Sequence, residues 1–464
     1  MASSPNADNG LGIFTTAMFI AGQTNGAGLV AMANGFYHMW WFSVPTLLAI
    51  AGLSGLSGIK LGACWTILQT RYPHYRTHSS RRYFYGEIAQ RAAGKYARGF
   101  TTTLINITLA GCATVYLLLA AQNIEYILES WGHMQLSSCV WILIIAVFLW
   151  PVTLLASPSS FWPIAFFSIV ISAISSLFIF MGILHDAWSH EIKANYAQPS
   201  FEDFFLGFGV VMFAYGSQAV FPTIQPDMKQ PQYFRKSILI ATTAVTIMYL
   251  LVGLSGYAVY GNTLSHNKGN VSQIINVIWI GLVSSILIAT QLILNFIVVI
   301  NPVNQEIEDY CAMPSVFSLK RLLSRSVLLM MITFLALTIP HFSSLLMLTG
   351  SFAVNILTLV LPNVYYLLLR AQEDPSLDGV HIVGNDDVID LRGIAGSWRV
   401  RMMFYIKRLP DTVSTAEIAT SITVSAIGLF AFISGTYSAI VHIVDPKVAI
   451  LAQPCYLNFT HNSS

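Results

Sequence analysis

The chain alternates long apolar stretches with short polar ones. A helix that crosses a bilayer needs about 20 mostly apolar residues. Eleven stretches qualify: 11–34, 43–69, 99–127, 137–156, 161–184, 204–226, 237–260, 271–300, 325–343, 345–369 and 413–442. Only the short turn "IPHFSS" divides spans 9 and 10. Two stretches are interrupted. The first opens as "LGIFTTAMFI", then places Gln23, Thr24 and Asn25 in a row among Gly22, Gly26 and Gly28. The sixth, "LGFGVVMFAYGSQAVFPTIQPDM", is interrupted at Phe213-Ala214-Tyr215-Gly216-Ser217-Gln218, with Pro222 and Pro226 following.

Lipid offers no partner to a backbone N–H or C=O, so a break in a spanning helix is tolerated only where protein or a lined cavity takes up the freed groups. Breaks five spans apart are the signature of two five-helix repeats of opposite topology, each opening with a discontinuous helix. The odd offset inverts the second repeat. The pattern therefore predicts an all-α polytopic membrane protein with about 11 transmembrane helices, arranged as a 5+5 inverted repeat. Its expected parts are a cytoplasmic tail (1–10), a first repeat (11–184), a second repeat (204–369), a cytoplasmic loop (370–412), an eleventh helix (413–442) and an extracytoplasmic tail (443–464).

Composition agrees. Apolar types make up 55% of the 464 residues and charged types 9%, against about 25% charged in a soluble domain; mean hydropathy is +0.64. A net charge of +2 without a basic run gives no reason to expect nucleic acid. Five scattered cysteines imply neither a disulfide scaffold nor a metal site. No cleavable leader is expected, since the ten residues before the first span carry no Lys or Arg.

Lys and Arg set the orientation. With the N-terminus in the cytoplasm, 19 of the 23 lie in inner loops. Lys193, Lys268 and Lys447 lie outside, and Lys60 lies inside span 2. The sequons at Asn270, Asn458 and Asn462 all fall on the predicted outer side, as glycosylation requires. Asn106 lies within a span and should carry no glycan. Cys139 and Cys455 also fall outside and could pair, although sequence gives no distance between them.

The two breaks suggest a ligand. Freed N–H groups at the positive end of a half-helix suit a carboxylate. Freed carbonyls suit a cation or an ammonium, and a zwitterionic amino acid offers both groups. Candidate contacts are Gly22, Gln23, Thr24, Asn25, Gly26 and Gly28, facing Phe213, Ala214, Tyr215, Gly216 and Ser217. The competing explanation is close helix packing through small and polar residues.

Several motifs resemble the amino acid/auxin permease family of animals, within the amino acid–polyamine–cation superfamily, whose fold is LeuT-type. "GAGLVAM" resembles the family's break in span 1, and "LGACWTILQTRYPHYR" the end of span 2. "GCATVYLLLAAQNI" resembles span 3, and "INPVNQEIE" with "FSLKRLLSRS" the segment after span 8. "FAYGSQAVFPTIQPDMKQP" is the most specific match. The resemblance places an amino acid site on the two breaks. It also implies that Tyr116 of span 3 closes over the substrate. Thr290 of span 8 would join carbonyls of span 1 around sodium, since oxygen-only ligation suits a hard cation. The competing reading of Thr290 is a hydroxyl bonded to its own helix.

The chain departs from the family pattern at three places. Met32-Ala33-Asn34 stands where the break usually ends in Leu-Pro, Gln23 where an acid is common, and Gln218 where a His is common. These departures point to altered proton coupling, an unusual substrate or lost transport. Lys60 is costly within a span and such residues are usually functional. It is either a coupling group or a side chain that snorkels to the inner headgroups.

No span buries an Asp or Glu; Glu125 and Glu417 lie near span ends. No catalytic triad, P-loop or cofactor motif is present, and His74, His78 and His133 lack ligand spacing. An enzyme and a resident cofactor or metal are therefore not expected. Within 371–411, "NDDVID" reads as a solvated loop and "WRVRMMFYIKR" as a segment on the inner membrane surface. The expected function is secondary active transport of neutral amino acids by alternating access, coupled to a proton or, second, to sodium. The alternative is an amino-acid sensor with little transport; the short N-terminal tail argues against it. Expected partners are the amino acid, the coupling cation and membrane lipid. The sequence does not separate plasma membrane from lysosomal or vesicular membrane.

Overall fold

A computed structural model describes residues 10–72, 75, 84–132, 136–155, 161–189, 195–196, 198–265, 270–311, 313, 318–339, 341–372, 409–410, 412–444 and 454–458. The parts expected at 1–9, most of the loop 370–412, the sequon at Asn462 and the side chain of Asn458 lie outside the described residues, as do His74, His78 and His133.

Each apolar stretch becomes helix, because only a helix pairs all its backbone groups within one segment. Span 1 is Ile13–Thr24 and Gly28–Met39. Spans 2 to 5 are Ser43–Arg71, Lys95–Gly132, Ser138–Leu155 and Phe161–Ser189. Span 6 is α-helical over Phe201–Ala214 and then tightens into a 3-10 turn over Gly216–Val220, followed by the short helix Phe221–Ile224. Spans 7, 8 and 9 are Phe234–Tyr260, Ile278–Tyr310 and Leu319–Thr338. Span 10 runs from Phe342 to Ala371, and span 11 is Thr415–Val444. The described residues contain one isolated β-bridge, between Leu11 and Met228. It joins the start of span 1 to the end of span 6 through Leu11 N–H on Asp227 O (2.8 Å) and Lys229 N–H on Leu11 O (2.9 Å).

Three elements differ from the hydropathy pattern. Span 8 starts at Ile278, not 271, because Val271–Gln273 forms a 3-10 turn ahead of it. Phe84–Ala93 is a helix between spans 2 and 3 that no long apolar run announces. Its buried Glu87 accepts from the Tyr75 hydroxyl at 2.8 Å and pairs with Arg98 at 3.2 Å. Span 10 winds as a π-helix over Gly350–Val354 and again over Ile356–Val360, a rare geometry concentrated at functional sites.

Lipid supplies no hydrophobic drive between helices, so small residues and polar contacts hold the bundle. The second half of span 1 meets the first half of span 6 glycine against glycine. A Cβ on Gly207 would lie 2.6 Å from the carbonyl oxygen of Gly35, and one on Gly28 would lie 2.6 Å from the Ala214 methyl. Gly350 of span 10 faces the Gly209 carbonyl in the same way. Away from these crossings, Arg325 of span 9 donates to Glu308 of span 8 at 2.6 Å and to the Thr153 carbonyl of span 4 at 2.6 Å. Cys139 and Cys455 form a disulfide that ties span 4 to the short helix Cys455–Asn458.

One expectation is overturned here. Asn270 is buried, and its amide nitrogen donates to Asn123 Oδ1 at 3.3 Å. Its carbonyl oxygen accepts from Ser272 N–H and from the Ser272 hydroxyl, capping the turn that leads to span 8. A glycan on that nitrogen has no room in this packing, so the Asn270 sequon serves as a cap.

Gly350→Ala places a methyl against the Gly209 carbonyl. Overpacking of this kind costs about 1–3 kcal/mol. The expected result is a lower melting temperature in detergent; an unchanged one would contradict the close crossing of spans 6 and 10.

Candidate functional site

The helix of span 1 stops at Thr24 because Asn25, at φ −90° and ψ 75°, leaves the helical region. Gly26 N–H turns back onto the Thr24 carbonyl at 3.1 Å, and Leu29 N–H onto the Gly26 carbonyl at 3.3 Å. The break is therefore Asn25, Gly26 and Ala27. Gly26 is required by its neighbour: a Cβ there would stand 2.6 Å from the Tyr116 hydroxyl of span 3. In span 6 the α-helix ends at Ala214, and the chain continues as a 3-10 turn with Gly216 against Val354 of span 10. Span 6 thus changes winding at its interruption, where span 1 has a gap.

The two breaks touch. The hydroxyls of Thr24 and Ser217 lie 2.6 Å apart. Tyr249 of span 7 reaches both breaks, with its hydroxyl 3.0 Å from the Thr24 carbonyl and 3.0 Å from the Ala214 carbonyl. From span 8 the Gln291 amide nitrogen donates to the Asn25 carbonyl. The Tyr215 hydroxyl lies 2.7 Å from Thr246 Oγ1, which itself donates to the Thr242 carbonyl, so Tyr215 is the donor. Gln218 turns away, donating to the Ser54 carbonyl of span 2 at 2.6 Å.

Several buried polar groups of this cluster are left unanswered. A tyrosine hydroxyl carries one proton, yet Tyr249 faces two carbonyls. The side-chain oxygen of Asn25 is buried and has no hydrogen-bond partner, although the amide nitrogen lies 3.4 Å from Met248 Sδ. Two residues earlier, the Gln23 amide nitrogen is also buried without a partner. Unpaired polar groups in a low-dielectric interior are costly. No charged residue lies on either break segment.

The structure thus gathers Thr24, Asn25, Gly26, Tyr116, Ala214, Tyr215 and Ser217 at the meeting of the breaks. Gly22 and Phe213 are buried within the adjoining half-helices, Gly28 is used for packing against Ala214, and Gly216 packs on Val354. Two further candidates lie elsewhere. Thr290 is exposed on the outer surface of the bundle and its hydroxyl donates to the Ile286 carbonyl of its own helix at 2.8 Å, so the expected sodium contact with span 1 is not made. Lys60 is half-buried and bonded to side chains of two other spans. Its ammonium donates to Asn363 of span 10 at 2.8 Å and to Ser421 of span 11 at 2.7 Å, beside the Tyr366 ring. Tyr249, Thr246 and Gln291 are contacts that the motif reading missed. Their signal was available: polar side chains inside apolar spans usually face the bundle interior. Among the described residues, no group of His, Cys, Asp and Glu is placed to hold a metal.

Tyr249→Phe leaves the Thr24 and Ala214 carbonyls without this donor. Stranding a buried acceptor costs about 1–3 kcal/mol. A lowered melting temperature of the purified protein is expected; no change would mean the hydroxyl does not serve the breaks.

Residues 9–382 match the family described as transmembrane amino acid transporter protein. Amino acid transporter AVT1E of Arabidopsis thaliana is 22% identical over 358 residues, covering 74% of this chain and 64% of the relative. AVT1B of the same plant is 23% identical over 366 residues, covering 76% and 64%. The chain spans just under two thirds of the length of these relatives. Among solved structures, Mhp1, a nucleobase-cation-symport-1 family transporter in a closed conformation with bromovinylhydantoin bound, matches with a TM-score of 0.55 at 13% identity, covering 98% of this chain and 97% of that one. Inward-facing Mhp1 gives 0.53 at 14% identity, covering 97% and 93%. A mutant manganese transporter of Eremococcus coleocola gives 0.50 at 11% identity, covering 93% and 94%. These likenesses identify the fold as LeuT-type, with two five-helix repeats and spans 1 and 6 discontinuous.

Proposed function

The chain belongs to the transmembrane amino acid transporter family, and we propose that it moves neutral amino acids across a membrane by alternating access, driven by a cation gradient. The observation that carries this reading is the set of buried polar groups left unanswered where the two breaks meet. The Thr24, Asn25 and Ala214 carbonyls and the Asn25 side-chain oxygen share the Tyr249 hydroxyl, the Gln291 amide and the Gly26 N–H. A substrate ammonium brings three N–H groups to these oxygens. The Gln23 amide supplies an unused donor for a carboxylate, and the Tyr116 hydroxyl stands against Gly26. Neutral side chains suit a site whose segments carry no charge.

The driving ion in this reading is a proton. The oxygen set that would hold sodium is incomplete, since Thr290 faces outward and the Gln291 amide takes the Asn25 carbonyl. Lys60 supplies an ionisable amine inside the membrane, bonded across spans 2, 10 and 11. The repeats 11–184 and 204–369 rock about the breaks, with the N-terminus in the cytoplasm, as the Lys and Arg asymmetry favours. An animal source and a place in the amino acid–polyamine–cation superfamily rest on the motifs, and glycans at Asn458 and Asn462 rest on the sequons.

Purified protein in liposomes should accumulate a labelled neutral amino acid under an imposed inward proton gradient, and not under sodium alone. Saturable binding without accumulation under any gradient would replace transport by a sensor function. Gly26→Leu drives a side chain into Tyr116, and Gly216→Leu drives one into Val354. Each should abolish uptake while surface expression is retained; normal uptake by either variant would remove the break site.

A further inference from the structure

We propose that His38 and Asp203 form a proton-operated latch that holds the crossing of spans 1 and 6 shut on its outer side. The inference rests on the proposed alternating access and orientation, and not on the identity of the substrate. The second half of span 1 and the first half of span 6 cross closely where Gly35 meets Gly207. Residues 25–36 and 205–215 are all buried. On the other side of the breaks Gln23, Thr24, Gly216, Ser217, Val220 and Thr223 are half-exposed. The two helices are therefore closed on each other on the side of Gly35 and looser on the side of Val220.

His38 sits at the rim of the closed side. It lies one turn beyond Gly35, and a Cβ on Gly207 would stand 3.1 Å from the His38 Cβ. Its Nδ1 is buried without a hydrogen bond and lies 3.6 Å from Asp203 Oδ1. Asp203 Oδ2 is committed to the start of span 6, where it accepts from the Ser200 N–H at 2.9 Å and the Ser200 hydroxyl at 2.8 Å. The capping bonds thus hold the carboxylate in place, with its other oxygen toward an imidazole of span 1. The His38 and Asp203 side chains are 11% and 42% exposed, so the outer solution reaches the pair. Histidine is the side chain whose ordinary charge change falls between pH 5 and 8. A proton gained turns this contact into an ion pair across the crossing, and a proton lost removes the attraction. The other titratable groups facing His38 among the described residues are His442 of span 11, its ring edge-on at 6.4 Å, and Tyr37 of the same helix at 5.1 Å. Tyr257 of span 7 stands near Tyr37, and Glu202 beside Asp203 is exposed. A second charge on His442 would repel the first, so the latch takes one proton. Acid on the outer side favours the closed crossing, and neutral or alkaline solution releases it. His38 governs opening and is separate from Lys60, the ionisable group of the proposed proton coupling.

The test uses the full-length protein in liposomes, with Cys311→Ser to remove the exposed thiol and Val210→Cys as reporter. Val210 is buried against Gly35 in the crossing, and cysteine is the smaller side chain. The rate of labelling by a membrane-impermeant maleimide is measured at about pH 5.5 and about pH 8, across the range of histidine, with His38 and with His38→Gln. Thiol ionisation affects both proteins alike, so their ratio is read. The expected result is labelling about two- to fivefold faster in His38→Gln at the acid pH, the worth of one partly exposed ion pair, and equal rates at the alkaline pH. Asp203→Asn, which keeps an oxygen for Ser200, should match His38→Gln at the acid pH, and the double variant should add nothing. The same ratio at both pH values makes His38 a packing residue and overturns the latch alone, as do additive effects of the two substitutions. If Val210→Cys is labelled in no background at either pH, the crossing does not open, and the proposed alternating access fails together with the latch. Should His38→Gln fail to fold, Asp203→Asn decides.

Discussion

Every backbone polar group inside a bilayer must be answered by the protein, and the rest of this molecule can be derived from how it answers those at Asn25 and Ala214. A continuous helix satisfies its own carbonyls. Once Asn25 leaves the helical region, its carbonyl is taken by Gln291 of span 8, and the Thr24 and Ala214 carbonyls at the ends of the two half-helices face the Tyr249 hydroxyl of span 7. Spans 7 and 8 are thereby held against spans 1 and 6 by a few directional contacts instead of by apolar area alone, which in lipid gives little drive for association.

The close crossings follow from the same requirement. Tyr249 can reach carbonyls on two helices only if those helices approach closely, and they do so through Gly28 on Ala214 and Gly35 on Gly207. Tyr116 likewise reaches the break because residue 26 is glycine. Small residues therefore serve the polar contacts as well as the packing. Span 10 extends the arrangement: Val354, in a π-helical stretch, packs on Gly216, while Asn363 further along receives the Lys60 ammonium and donates to Ser57 at 2.8 Å. One helix thus contacts the span 6 interruption and the intramembrane charge.

Intramembrane Lys60 shows how context decides a charged residue. Its flexible stem would allow it to reach the headgroups. Instead Asn363 and Ser421 offer oxygens from two other spans, and the ammonium stays between them. Its hydrogen-bond partners are neutral, with the Glu417 charge acting from nearby, whereas Arg325 pairs directly with Glu308.

Hydropathy was enough for the spans, because lipid enforces a length and a composition on every segment that crosses it. The paired interruptions were equally legible, because two breaks five spans apart match an inverted repeat that packing alone does not call for. The sequence could not decide which side chains answer the break. Thr290 and Gln291 are neighbours on one helix, and a rotation of about 100° per residue turns one to the outside and the other onto the Asn25 carbonyl. Asn270 carries a valid sequon, yet burial against Asn123 makes it a cap. Tyr249 is one of 20 tyrosines, and only the crossing of spans 1, 6 and 7 sets it between two carbonyls. Periodicity and composition are local properties that the sequence carries by itself. The facing of each helix is set by its neighbours, and so the partners of the break belong to the tertiary structure.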